Sequence, residues 1–157
     1  MIVRFKLNGN PVEVDVEPRE LLLNTLRLRL GIRSVKRGCE RGECGSCTVL
    51  LDGNPVLSCL LLTVQVAGRE VTTLEGLRGD TVFEALVESF VECGAIQCGF
   101  CTPGILLTAW AGVTQGKIRD VREAKYYIEN LCRCTGYVKI IEAICKVTKG
   151  ASSIGCR

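Results

Sequence analysis

The sequence predicts an α+β protein in two halves, with residues 1–75 forming a small sheet domain and residues 76–157 a helical one. Three observations carry this reading. The hydrophobic period changes from two residues to about 3.6 near residue 80. Eight of the eleven cysteines fall into two sets of four, one set in each half. The chain has 157 residues, the length of one ordinary domain or two small ones. In halves of that size a hydrophobic core alone is marginal, and a bound metal commonly supplies part of the stability.

Taken in order, residues 2 to 7 and 11 to 16 read as strands rich in Val, Ile and Phe, joined through the hairpin signal Asn8-Gly9-Asn10. Pro18 precedes Leu22, Leu23, Leu26 and Leu30 at helical spacing, and Gly31 suits the position just past a helix end. Residues 48 to 51, an Asp52-Gly53 turn and Pro55-Val56 predict a second hairpin, with a further strand near residues 70 to 72. Residues 68–79 read as the linker between the halves.

Beyond it, Asp80 or Thr81 caps a helix bearing Phe83, Leu86, Val87 and Phe90 on one face. Thr102 followed by Pro103 reads as a cap with proline at the first helical position. Asp120 and Glu123 form a capping-box signal before a helix through Tyr127. Tyr137, Ile140, Ile141 and Ile144 line the inner face of a last helix, so four short helices predict a bundle. The tail, residues 150–157, is Gly- and Ser-rich and reads as loose.

The first cysteine set is Cys39, Cys44, Cys47 and Cys59. Its C-x4-C-x2-C…C spacing is the plant-type ferredoxin pattern for a [2Fe-2S] cluster. The glycines of the loop from Gly38 to Cys47 let the backbone wrap a cluster and aim N–H groups at its sulfurs, offsetting its negative charge. Arg41 either adds positive charge there or is a solvated surface arginine. The second set is Cys98, Cys101, Cys132 and Cys134. Cys101 and Cys134 each stand just before a helix, which would turn two positive helix ends toward a bound anion. Structural zinc on four thiolates is the rival for this set, because C-x2-C pairs serve both metals. The C-x-C at 132 and 134 and the ferredoxin spacing of the first set favour iron. Redox-active dithiol chemistry at Cys98-Gly99-Phe100-Cys101 lacks the βαβ setting that motif expects. Cys93 and Cys145 read as small buried hydrophobes, and Cys156 has no assigned role.

Histidine is absent. Rieske centres, His-based triads, His-ligated zinc and C-x-x-C-H haem attachment are thereby excluded. No G-x-G-x-x-G after a strand and no G-x-x-x-x-G-K-[ST] loop occurs, so no nucleotide site is expected and substrate chemistry is expected on another subunit. The net charge of +3 is slight and dispersed, so no nucleic-acid partner is expected. The apolar stretch at residues 57–67 is too short to insert into a membrane, and no export signal is visible, so a cytoplasmic chain is expected.

Four motifs in order then carry a resemblance. Gly38-Cys39-x-x-Gly42-x-Cys44-Gly45-x-Cys47-Thr48-Val49 comes first, followed by Ser58-Cys59. Gln97-Cys98-Gly99-Phe100-Cys101-Thr102-Pro103-Gly104 and Asn130-Leu131-Cys132-Arg133-Cys134-Thr135-Gly136-Tyr137 complete the series. Together they resemble the iron-sulfur subunit of the xanthine oxidase family of molybdenum hydroxylases, which includes aldehyde, carbon monoxide, nicotinate and hydroxybenzoyl-CoA oxidoreductases.

The resemblance implies a plant-ferredoxin-like β-grasp domain followed by a four-helix bundle domain, each with one [2Fe-2S] cluster. It further implies a large partner subunit holding molybdopterin and a medium one holding FAD, between which this chain relays electrons. The cluster on Cys98, Cys101, Cys132 and Cys134 would lie nearer the molybdenum, with Gln97 and Cys134 hydrogen-bonding the pterin. The alternative for Gln97 is a loop amide bonding its own backbone. Tyr127-Ile128-Glu129 departs from the smaller residues usual in the family. Phe100 and Tyr137 are expected to pack inside the domain. The alternative function is a stand-alone ferredoxin-like carrier or redox-sensing binding protein.

Overall fold

The computed structural model describes residues 1–148, so the readings of the 150–157 tail and of Cys156 lie outside the described residues. Strand β1 (Ile2–Leu7) buries every second side chain, Val3, Phe5 and Leu7, as a half-buried strand must. It returns as β2 (Asn10–Asp15). The turn residues Asn8 and Gly9 have φ of 52° and 79°, the pair of positive angles that fits strand twist in a two-residue hairpin. Asp52 and Gly53, at 48° and 80°, repeat that solution between β3 (Thr48–Leu51) and β4 (Asn54–Leu57). The last strand, β5 (Glu70–Thr72), lies between the hairpins, so that the sheet order is β2-β1-β5-β3-β4. β5 runs parallel to β1 and antiparallel to β3.

The helix expected between Pro18 and Gly31 forms but widens midway. α1 (Leu22–Asn24) continues as a π-helical turn (Thr25–Arg29), where Leu30 N–H donates to Thr25 O at 3.0 Å. Gly31, with φ of 69°, takes the left-handed position just past the end. Leu22, Leu23 and Leu26 are buried and, with Val3, Phe5, Val49 and Val71, make the core of the sheet half.

Among the described residues the helical half holds α2 (Thr81–Glu92), α3 (Thr102–Thr114), α4 (Val121–Tyr127) and α5 (Val138–Thr148). α2 and α4 each pack on both α3 and α5. Asp80 caps α2, accepting Phe83 N–H at 2.9 Å and Trp110 Nε1–H at 2.8 Å. The core they enclose includes Phe83, Leu86, Phe90, Ile105, Ile140 and Ile144, with Cys93 and Cys145 buried in it. Leu50 of β3 belongs to this second core while its neighbours Val49 and Leu51 face the first. Strand β3 is therefore covered on both sides, and the helical half is docked directly on the sheet.

Four local readings need correction. Tyr137, at φ of 69°, stands just before α5 rather than in it, though it still packs against the helical core. The cap of α3 is Cys101, with Thr102 already helical and no side-chain cap bond, because the Cys101 backbone is itself in the helical region. Asp120 does accept Glu123 N–H at 2.8 Å, but the Glu123 carboxylate reaches back to Arg119 N–H rather than to Asp120. The expected linker, residues 68–79, holds β5 and a 3-10 turn (Leu74–Leu77), pinned where Thr73 N–H donates to Asn8 Oδ1 at 2.8 Å.

Candidate metal centres

The first cysteine set sits in the loop between the π-helical turn and β3, and it closes onto Cys59 in the 3-10 turn after β4 (Ser58–Leu60). Gly42 and Gly45, at φ of 78° and 68°, and Glu40, at 55°, bend the loop around its own cysteines. The result is a fan of backbone donors. Arg41, Glu43 and Cys44 N–H groups each stand 3.4 Å from Cys39 Sγ, and Cys39 N–H stands 3.4 Å from Cys44 Sγ. Donors from Arg41, Cys44 and Glu43 draw the Cys39 thiol down to about 6. Burial pushes Cys47, which lies against the Cys59 thiol, up to about 11.

Arg41 itself points into solvent and pairs with Glu43 at 3.5 Å. Within the loop its N–H stands 3.4 Å from Cys39 Sγ.

The second set joins the α2–α3 connection to the segment before α5. Here the sulfurs again stand in pairs. Burial and the adjacent Cys132 thiol push Cys101 up to about 12. For Cys132 burial acts upward, but Thr135 and the backbone outweigh it and hold the thiol below its ordinary value. Cys134 is raised, chiefly by the Cys98 thiol beside it. Cys101 is buried, whereas Cys98 and Cys134 are exposed.

Among the described residues no three Cys, Asp or Glu side chains converge as they would on a single ion. The sulfurs stand two by two, as 39 with 44, 47 with 59, 98 with 134 and 101 with 132. Such pairs suit two irons that each take two thiolates, and the donor fan on Cys39 suits a negatively charged group. The residues present fit a [2Fe-2S] cluster in each set.

The two sets are joined back to back. Leu131 N–H, next to Cys132, donates to the carbonyl of Cys44 at 2.9 Å. Buried Asn130 reaches across with its Nδ2, 2.9 Å from Gly45 O and 3.3 Å from Thr48 Oγ1. The sequence marks Asn130 only as a motif position; its role becomes visible once the loops are folded together.

Gln97 is exposed and makes no bond to its own loop among the described residues, so its amide is available outward. Phe100 is 45% exposed and so is not the core residue expected. A single aromatic among glycine and cysteine has no periodicity from which its direction can be read. Tyr137 is half-buried and its hydroxyl accepts Cys132 N–H at 2.8 Å. In the Tyr127-Ile128-Glu129 segment Ile128 is buried, Glu129 is exposed, and Lys117 Nζ lies 5.8 Å from the Tyr127 ring centroid.

Residues 5–65 match the 2Fe-2S iron-sulfur cluster binding domain and residues 73–145 the [2Fe-2S] binding domain. The chain is 43% identical to the nicotinate dehydrogenase small FeS subunit of Eubacterium barkeri, over 90% of this chain and 91% of that one. It is 40% identical to the xanthine dehydrogenase iron-sulfur-binding subunit of Escherichia coli O157:H7, over 94% and 95%. Among solved structures, quinoline 2-oxidoreductase from Pseudomonas putida 86 superposes with a TM-score of 0.89 at 44% identity, covering 96% of this chain and 95% of that one.

Proposed function

This chain belongs to the iron-sulfur subunits of the xanthine oxidase family, and we propose that it stands between a large molybdopterin subunit and a medium FAD subunit. It is the electron-transfer subunit of a molybdopterin-dependent oxidoreductase complex. We assign Cys39, Cys44, Cys47 and Cys59 as ligands of one [2Fe-2S] cluster and Cys98, Cys101, Cys132 and Cys134 as ligands of the other. The division falls at 75/76, with a β-grasp domain before it and a four-helix bundle after it. When bound, each cluster supplies a one-electron site that becomes more negative on reduction.

The chain's own residues prepare for that charge. Backbone N–H groups around Cys39 offset it, and burial of Cys47, Cys59 and Cys101 keeps water from the inner sulfurs. The joint through Leu131, Asn130 and the Cys44 carbonyl fixes the separation of the two sets, and this observation carries the proposal.

The second set, with Cys98, Cys134 and Gln97 exposed, faces the molybdopterin subunit in this reading. Gln97 and Cys134 are then the residues that hydrogen-bond the pterin. The first set faces the flavin. The cytoplasm is the compartment in which these eight thiols stay reduced for iron.

Purification of the tagged chain from cells that make its natural partners tests the assignment. A stable complex containing molybdenum and flavin is the expected result. A two-cluster monomer that retains neither group would instead identify a stand-alone carrier.

A further inference from the structure

The second cysteine set carries a hydroxyl that no ligand role uses. Thr135 Oγ1 lies 3.1 Å from Cys132 Sγ and accepts the backbone N–H of Tyr137 at 3.2 Å. With the oxygen engaged from the backbone side, its single proton is free for the sulfur, so Thr135 donates and Cys132 accepts. No other sulfur of this set receives a hydroxyl among the described residues.

The turn that holds Thr135 in place is strained. Tyr137 has φ of 69°, directly after Gly136 at 64°. A bulky residue rarely enters this left-handed region, and it stays there only where the surroundings over-determine it. Here the Tyr137 hydroxyl accepts Cys132 N–H at 2.8 Å. Cys132, Thr135 and Tyr137 thus close a ring of hydrogen bonds whose outcome is one oriented O–H aimed at one ligand sulfur.

We propose that Thr135 is a positioning residue that sets the reduction potential of the second site by donating its hydroxyl to Cys132 Sγ. The inference rests on the assignment of Cys98, Cys101, Cys132 and Cys134 as the second cluster's ligands. Reduction adds negative charge that is shared with the ligand sulfurs. A donor at one of them stabilises the reduced form more than the oxidised one and raises the potential.

The test is a redox titration followed by EPR on the cluster-loaded chain, comparing the parent with Thr135→Val, which keeps the shape without the hydroxyl, and Thr135→Ser, which keeps the hydroxyl. Cys132→Ser identifies the signal of the second site. Thr135→Val should make reduction of that site roughly tenfold less favourable, a fall of about 59 mV for one electron. Thr135→Ser should retain the parent value, and the other midpoint should not move in either variant. A midpoint does not depend on occupancy, so reduced loading does not mask the effect.

An unchanged second midpoint in Thr135→Val overturns the proposal. Complete absence of the second signal in that variant also overturns it, assigning Thr135 to loading instead. Failure of the ligand assignment looks different, since Cys132→Ser would then leave both signals intact.

Discussion

Gly104, the third residue of α3, separates two opposed physical expectations. Helix propensity alone favours alanine over glycine by about 1 kcal/mol, so Gly104→Ala should stabilise an isolated helix. In this fold an added Cβ would stand 2.5 Å from the carbonyl oxygen of Gly45, 3.3 Å from Asn130 Nδ2 and 3.4 Å from Ser46 Cα. The carbonyl cannot yield easily. It already accepts Thr48 Oγ1–H at 2.7 Å, Thr48 N–H at 3.2 Å and Asn130 Nδ2–H at 2.9 Å.

Either α3 or the first cysteine loop must therefore move, at about 1–3 kcal/mol for overpacking and about 1 kcal/mol for a weakened hydrogen bond. After the propensity gain is subtracted, Gly104→Ala should destabilise the chain by about 1–3 kcal/mol. For a protein of this size that lowers the apparent Tm by roughly 2 to 12 °C. The assay is thermal denaturation of the cluster-loaded chain by circular dichroism, with visible absorption followed in parallel. Parent and variant are scanned at one rate, because cluster loss makes the transition irreversible. A variant that melts at or above the parent would refute the close approach of α3 to the cysteine loop.

Asn130→Ala removes the amide that ties Gly45 and Thr48 to the second set. The loss of about 1–3 kcal/mol should lower the apparent Tm by roughly 2 to 12 °C in the same scan, and an unchanged Tm would place the joint elsewhere. Cys44→Ser and Cys132→Ser should each abolish a different EPR signal and spare the other; loss of the same signal in both contradicts the division of ligands. Phe100→Ser should leave iron content unchanged, since Phe100 is 45% exposed, while weakening retention of a partner subunit; lost iron would return it to the core. Burial pushes the Glu75 carboxyl up, but bonds from the Thr73 and Ser34 hydroxyls outweigh it and hold it below its ordinary value of 4.5. Its stabilisation is therefore full above pH 4.5 and lost as pH falls through the lower folded value. The Tm gap between parent and Glu75→Gln should shrink in that window, and a gap independent of pH would show that Glu75 contributes nothing by its charge.

Features set by neighbouring residues were legible in the sequence. Asn8-Gly9 and Asp52-Gly53 mark hairpins because few residue pairs tolerate two positive φ values, and Asp80 and Asp120 mark helix starts because a cap acts within three residues. The cysteine spacings are local in the same sense, and they locate both candidate centres. Features that depend on distant pairing were not legible. β5 lies between β1 and β3, and Leu50 serves the helical core, only because the whole chain closes on itself. The Cys101 cap has no sequence signal of its own, because a hydroxyl beside proline is the stronger local one. Asn130 and Thr135 acquire their roles from partners brought together by a turn or by a contact between halves, which no periodicity encodes.

Low-temperature EPR of the dithionite-reduced chain, with iron, acid-labile sulfide and zinc quantified on the same sample, tests the central claim most directly. Two distinguishable [2Fe-2S] signals, with four irons and four sulfides per chain on the stoichiometry of about two of each per cluster, are the predicted result. A single signal accompanied by zinc would contradict it, leaving the helical half as a structural metal site.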